Sequence, residues 1–465
     1  MQDFTKGPVT RQVIRFTAPI MLSNVLMSVY GIINLIWVGR LLGHEAVAAV
    51  SASLPIIMLL PAFLIGLSLA TNVMIAQSFG LNDMALIRKI LANSFLTSLL
   101  LCLLISLCAL LFRRQLLAWV GAPEEIMAMA LSYLTVMMGC LVFQFCIGWM
   151  NSVLRGLGDA AAVVKILVIQ TLANILFVPL LISGAGPLPP LGVTGAAWGT
   201  ALAALFTCFT GYLYLLRVIP YIDMRQWDFS LDWCLIRQVF VIGIPASLQM
   251  MVVSLSGVII IALVNRYGTA VTAAFGIGMQ VDMLAFIPYL SVSMAVTTIV
   301  GQNLGARRMD RVFQALRASV YSGLIVASVT VALLLIFPQE IGSLFLKDSA
   351  EKARVLELVH DYFRWMAFTY PCLAVFFAIQ GVLRGAGDTL PLLVLSFLAM
   401  FVIRIPLAYF LAGPCGFQQD GIWMALLFSS ILATLLNGFY YAYGPWKKKQ
   451  IFRNSREAAA EEAQA

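Results

Sequence analysis

The sequence predicts an all-α integral membrane protein, with twelve transmembrane helices arranged as two parallel-repeat six-helix bundles. Three observations carry this. Of 465 residues, 62% are hydrophobic and 11% charged, with a mean hydropathy of +0.95, whereas a soluble chain carries about 25% charged residues to cover its surface. The apolar runs reach the roughly 20 residues that a helix needs to cross the hydrocarbon core. They also lack the alternation of a barrel strand, so each run must satisfy its own backbone hydrogen bonds as a helix.

Taken in order, the runs place spans near residues 14–38, 46–77, 87–112, 126–153, 160–184 and 192–216, then 237–265, 270–300, 313–337, 355–383, 389–412 and 420–443. The polar, basic start MQDFTKGPVTRQV is followed by an apolar stretch about twice the length of a signal-peptide core, which reads as a retained first span. Residues 1–216 thus form a first lobe, 217–236 a cytoplasmic linker, 237–443 a second lobe and 444–465 a cytoplasmic tail. Trp227 and Trp233 among charges suggest an interfacial helix in the linker. Placing both termini in the cytoplasm puts most of the 29 Lys and Arg residues inside, including Arg88, Lys89, Arg307, Arg308 and the run Lys447 to Lys449. That bias obeys the positive-inside rule and points to a multi-pass protein of the inner membrane.

The two halves repeat. Pro19 matches Pro245, Val38 to Arg40 matches Val264 to Arg266, AQSFG (Ala76 to Gly80) matches GQNLG (Gly301 to Gly305), and VLRGLGD (Val153 to Asp159) matches VLRGAGD (Val382 to Asp388). The offsets are 226, 225 and 229 residues. An even number of spans separates equivalent points, so both copies enter the membrane from the same side, the design in which substrate sites lie between two bundles.

Other chemistries find little support. Eight cysteines are scattered singly without metal-ligand spacing, and His44 and His360 both sit at span ends. No HExxH, GxSxG or paired carboxylates share a helix face, so neither an enzyme nor a bound metal or cofactor is expected. The net charge of +8 resides in loops and tail rather than on one face, which argues against nucleic acid.

Charges deep in spans are costly and therefore informative. Asp282 falls near the middle of the eighth span and Arg404 near the middle of the eleventh, where the first half has Ile56 and Ile175. One reading makes Asp282 a protonatable or cation-binding carboxylate whose charge state Arg404 biases; the other is a permanent structural ion pair. Asn34, Gln144, Asn151, Gln170, Asn174, Gln249, Gln280 and Gln380 are spread along apolar stretches as interhelical glue or as the lining of a cavity. Met279, Met283 and Phe376 would suit apolar cations of varied shape, packing being the competing reading. In each LRGxGD segment, Arg155 with Asp159 and Arg384 with Asp388 flank two glycines at a span end, and a structural hinge is the favoured interpretation.

Pro19, WVGRLLG (Trp37 to Gly43), AVAAVSASLP (Ala46 to Pro55), GQNLGA (Gly301 to Ala306) and the twin LRGxGD segments, in this order across nearly the whole chain, resemble the multidrug and toxic compound extrusion family. The resemblance implies two six-helix lobes in a V-shaped arrangement, alternating access, and export of cationic or amphipathic organic compounds by antiport with H+ or Na+. Many relatives carry an acid where this chain has Asn34, others where it has Val178, Val253 or Leu373; acids at the position of Asp282 occur in relatives resembling this branch. Coupling is therefore expected in the second lobe, with Asn34, Asn174, Gln249, Met279, Gln280, Met283 and Phe376 as cavity or substrate candidates. Membrane lipid is the surrounding partner, and one chain holding both halves can work as a monomer. A flippase for a lipid-linked or amphipathic substrate is the alternative, and a non-transporting scaffold a third.

Overall fold

The computed structural model describes residues 2–184, 189–218, 227, 230–346, 351–449 and 451–452. The interfacial helix expected in the linker falls largely on residues 219–226, 228 and 229, and most of the expected tail on 453–465, outside the described residues. The described chain is helical without strands. Eleven helices, together with one bent pair, are long and apolar enough to cross a membrane.

The first six spans are α1 (Val9–Leu42), α2 (His44–Gly80), α3 (Met84–Leu111), α4 (Glu124–Gly139 and Leu141–Gly156), α5 (Ala160–Ser183) and α6 (Gly192–Val218). The second six are α7 (Trp233–Val264), α8 (Thr269–Gly305), α9 (Met309–Ile336), α10 (Lys352–Gly385), α11 (Thr389–Ala412) and α12 (Gln418–Tyr443). Several run past the apolar stretch that marks them in the sequence, because a helix continues into the polar boundary where hydropathy no longer sees it. Leu100, Leu104 and Leu107 of α3 and Leu172 and Leu176 of α5 are exposed. Such outward apolar rows suit hydrocarbon, which is as apolar as leucine itself.

Local chemistry marks the helix ends. Asp83 accepts from the Leu86 N–H (3.0 Å) to cap α3, and Asp159 from the Ala162 N–H (3.1 Å) to cap α5. The repeat-matched Gly43 and Gly268 precede α2 and α8 with φ of 85° and 97°, a region costly for any residue with a Cβ. Two spans are irregular. α4 bends by 45° at Cys140, beside Gly139. In α11 the segment Leu398–Arg404 opens into a π-helix, just ahead of Pro406. Proline lacks an N–H and its ring crowds the carbonyl four residues back, here Val402, so a widened turn relieves the clash.

Contacts divide the chain into two units, Met1–Asp3 with Leu22–Ser247, and Phe4–Met21 with Leu248–Ala465. Both boundaries cut a helix, α1 after Met21 and α7 after Ser247, and the two cuts are 226 residues apart, the spacing of the repeat.

In the first unit, cores form around Tyr133, Val178 and Ala197 and around Ala130, Leu134 and Leu117. The segment before α7 is fastened here. Asn93 donates to the Ser230 carbonyl (3.0 Å) and accepts from the Asp232 N–H (3.0 Å), while Trp227 packs on Phe95 (5.8 Å) and Trp149 (5.5 Å).

In the second unit the core runs through Phe275, Tyr362, Phe363, Tyr370 and Trp423. There α10 lies directly on the α8 backbone. A Cβ on Gly381 would stand 2.8 Å from the Ser293 carbonyl, and one on Gly385 would stand 2.7 Å from the Thr297 carbonyl. This is the small-xxx-small approach by which membrane helices gain close packing without a hydrophobic driving force. The segment before α1 is fastened to this unit. Phe4, fully buried, donates its N–H to Gln302 Oε1 (3.0 Å), and its carbonyl accepts from Arg311 Nη2 (2.8 Å) and Asn303 Nδ2 (3.2 Å). Arg311 also reaches the Gly7 carbonyl (2.9 Å) and Gln12 Oε1 (3.0 Å), and Arg308 the Thr5 carbonyl (2.7 Å).

Two outcomes follow from this packing. Gly385→Val drives a branched side chain into the α8 carbonyl row and lowers stability by about 3 kcal/mol, seen as an earlier loss of the monodisperse peak when detergent-solubilised protein is heated. Arg311→Ala removes charged donors from the Phe4 and Gly7 carbonyls, a bond to a charged group being worth about 1.5–3 kcal/mol, so tryptic cleavage after Lys6, followed by mass spectrometry, accelerates; unchanged protection there would remove the clamp.

Candidate functional site

Asp282 sits on α8 with its residue 8% exposed. Both carboxylate oxygens accept from phenols of α10: Tyr362 Oη donates to Oδ2 (2.5 Å) and Tyr370 Oη to Oδ1 (2.6 Å). These are lengths of O–H to carboxylate bonds in which the acceptor carries charge. One turn before Asp282, Gly278 makes room for the Tyr362 ring, since a Cβ there would lie 2.6 Å from Tyr362 Cδ1. Around the phenol the walls are aromatic. Trp423 meets the Tyr362 ring edge-on at 4.9 Å, Phe275 does so at 5.9 Å, and Phe275 stacks on Trp423 at 5.3 Å.

Arg404, the other deep charge, lies at the end of the π segment of α11 and turns to α12. Its Nε donates to Ser429 Oγ (2.8 Å) and its Nη2 to Ser430 Oγ (3.4 Å). Among the described residues no ion pair joins it to Asp282, whose partners are the two phenols. The permanent ion pair weighed from the sequence does not form in this structure.

The remaining sequence candidates of this unit fall into two groups. Gln249 is buried and links three helices, donating to Ser396 Oγ of α11 (2.9 Å) and accepting from Arg384 Nη2 of α10 (3.1 Å). Phe376 is buried edge-on to Phe377 at 5.6 Å. Met279, Gln280 and Met283, by contrast, are exposed on α8, on a different face from Gly278 and Asp282.

The two LRGxGD segments share a design and differ in one residue's use. The first glycines, Gly156 and Gly385, are close-packing positions, and a Cβ on Gly156 would meet the Asn72 carbonyl at 2.9 Å. The second glycines, Gly158 and Gly387, adopt φ of 79° and 75° where the chain leaves the helix. Arg155 closes α4 and Arg384 closes α10. Asp159 caps α5, whereas Asp388 is fully buried and accepts from Tyr440 Oη (2.6 Å) and Lys449 Nζ (2.5 Å).

In the first unit the polar candidates form a network without a carboxylate. Asn174, buried on α5, donates to Tyr30 Oη (3.2 Å) and Thr200 Oγ1 (3.3 Å); Gln170 donates to Gln144 Oε1 (3.2 Å). Asn34 stands apart from these bonds, its Oδ1 buried and accepting none among the described residues. Tyr133 and Tyr362 are 229 residues apart, the spacing of the LRG pairs, so the tyrosine is common to both halves while the carboxylate is not.

Sequence reasoning isolated Asp282 and missed Tyr362, Tyr370 and Gly278, because a tyrosine or glycine in an apolar helix reads as packing. The repeat-matched tyrosines were the available signal.

The family model MatE matches residues 19–180 and 245–410, one stretch in each half. The probable multidrug resistance proteins YpnP and YoeA of Bacillus subtilis (strain 168) are similar along their whole length. YpnP is 30% identical over 97% of this chain and 98% of its own, and YoeA 29% identical over 97% of both. A solved structure described as the outward-facing conformation of a multidrug resistance MATE family transporter of the MOP superfamily shares the fold. It has 23% identity and a TM-score of 0.86 over 96% of this chain and 98% of that one. The two-part match and the end-to-end relatives agree with the repeat and the twelve spans, and the chain belongs to the MatE family of multidrug and toxic compound extrusion transporters.

Proposed function

We propose that this transporter exports cationic or amphipathic organic compounds by antiport with H+ or Na+, and that Asp282 is the coupling carboxylate. The observation that carries the reading is a buried carboxylate on a spanning helix whose partners are neutral phenols rather than a fixed cation. A group so placed can take up a proton or a cation and release it again, which a permanent ion pair would resist. The first unit's polar candidates Asn34, Asn174, Gln144 and Gln170 carry no such charge, which supports coupling in the second half. Both termini then face the cytoplasm, the site opens alternately to the two sides of the membrane, and a single chain suffices. The multidrug resistance names of YpnP and YoeA favour export of drugs over flipping of a lipid carrier. Arg404, engaged by Ser429 and Ser430, supports a role in holding α11 to α12 rather than in neutralising Asp282.

In proteoliposomes, an imposed pH gradient or an imposed sodium gradient is expected to drive accumulation of the lipophilic cation tetraphenylphosphonium, one of the two and not both. Asp282→Asn drops that accumulation at least tenfold, to the leak of empty vesicles. Concentrative transport by the Asn variant would remove Asp282 from the coupling step.

A further inference from the structure

Asp282 is held in an unusual way. Each of its oxygens accepts one phenolic O–H, both from α10 and from residues eight apart, Tyr362 and Tyr370. Both phenols are essentially fully buried. Their hydroxyls meet the carboxylate, and the side chains packed around Tyr362 are the rings of Phe275, Phe363 and Trp423. Nothing of that wall offers an oxygen.

We propose that Tyr362 and Tyr370 are positioning residues of the export cycle, acting through Asp282: they hold the empty carboxylate by one hydrogen bond per oxygen, and a proton arriving there detaches one of them. This rests on the reading of Asp282 as the coupling group and names the ion it takes.

The chemistry is a count of lone pairs and protons. An ionised carboxylate accepts at both oxygens, so both phenols are satisfied. When a proton comes from water onto one oxygen, that oxygen becomes an O–H and turns donor. The phenol facing it must then accept, and where that phenol is Tyr362 its own hydrogen finds no second oxygen on the rings of Phe275, Phe363 and Trp423. A buried hydroxyl without an acceptor is unfavourable. Loading therefore loosens one of the two ties between α8 and α10, and unloading returns the proton to water and restores it. A hard metal cation would require more. It binds through a shell of several oxygens, and this site presents the carboxylate and two phenols whose hydrogens already point at it. Gly278 and the Gly381 and Gly385 contacts seat α10 close enough for the phenols to reach.

The other titratable or charged groups turned toward this cluster are few. Tyr289, also on α8, is a buried phenol that stacks on Phe377 at 6.4 Å. Arg404 of α11 is the cation on this side, its hydrogen bonds going to Ser429 and Ser430. From α12 the contact is Trp423, which carries no charge.

The test is equilibrium binding of tetraphenylphosphonium to the purified full-length protein from pH 5 to 9, in potassium buffer and again with sodium. In the parent, binding weakens below a midpoint pH at which protons compete with the organic cation, and sodium leaves that curve in place. Tyr362→Phe and Tyr370→Phe each remove one donor that favours the charged carboxylate, so the midpoint moves upward by about one to two pH units. Asp282→Asn flattens the curve. A midpoint unmoved in both Phe variants overturns the positioning role, as does loss of binding at every pH, since removal of a hydroxyl would then be disrupting the fold. Competition by sodium in the parent overturns the choice of ion. The coupling reading fails separately, when Asp282→Asn still shows the parent's pH dependence.

Discussion

The close approach of α10 to α8 is the constraint on which the rest of the second unit depends. Glycines at 381 and 385 bring the α10 backbone against the carbonyls of Ser293 and Thr297, and Gly278 lets a tyrosine ring lie on α8 itself. Membrane helices gain nothing from hiding leucine from lipid, so contact distance is what they have to work with. Only at that separation does a phenol with its fixed reach meet a carboxylate on the neighbouring helix. Packing thus sets the chemistry: the carboxylate is tolerable in an apolar interior because two hydroxyls stand at bonding distance.

The repeat makes the asymmetry of the molecule legible. Both halves keep a tyrosine at the same place, a glycine turn before the second span and a paired-glycine exit from the fourth. They differ in charge. Where the second half has Asp282 and Arg404, the first has isoleucines, and its polar side chains are amides and hydroxyls bonded to one another. A neutral network holds helices together without responding to ions. Duplication supplied two equivalent frames, and charge was placed in one.

Much of the architecture could be read in advance, because hydropathy reports the solvent a segment faces and the repeat reports symmetry. All-helical spans in the expected number and the family resemblance were accessible on those grounds. The break of α4 at Cys140 was not, since a glycine in a membrane helix signals close packing as often as a bend. Nor was the π segment of α11, which arises from the backbone response to Pro406. At the site, a lone charge announces itself by its cost, but its partners do not: Tyr362 and Tyr370 sit among the aromatic residues of an apolar helix and acquire meaning from α8 alone. Asp388 shows the same limit, since it shares the LRGxGD context of Asp159 while its partners, Tyr440 and Lys449, come from far along the chain.

The seat of the amino-terminal segment carries a consequence for how this chain can drift over generations. Arg308, Arg311 and Asn303 grip carbonyl oxygens at Phe4, Thr5 and Gly7, which any residue would supply. Recognition of main chain leaves the identities of the gripped residues loosely constrained, Phe4 excepted because its ring packs on Phe16 and Gly7 because its φ is 83°. The gripping side chains have no such latitude. Variation should therefore accumulate on one partner of this contact and spare the other.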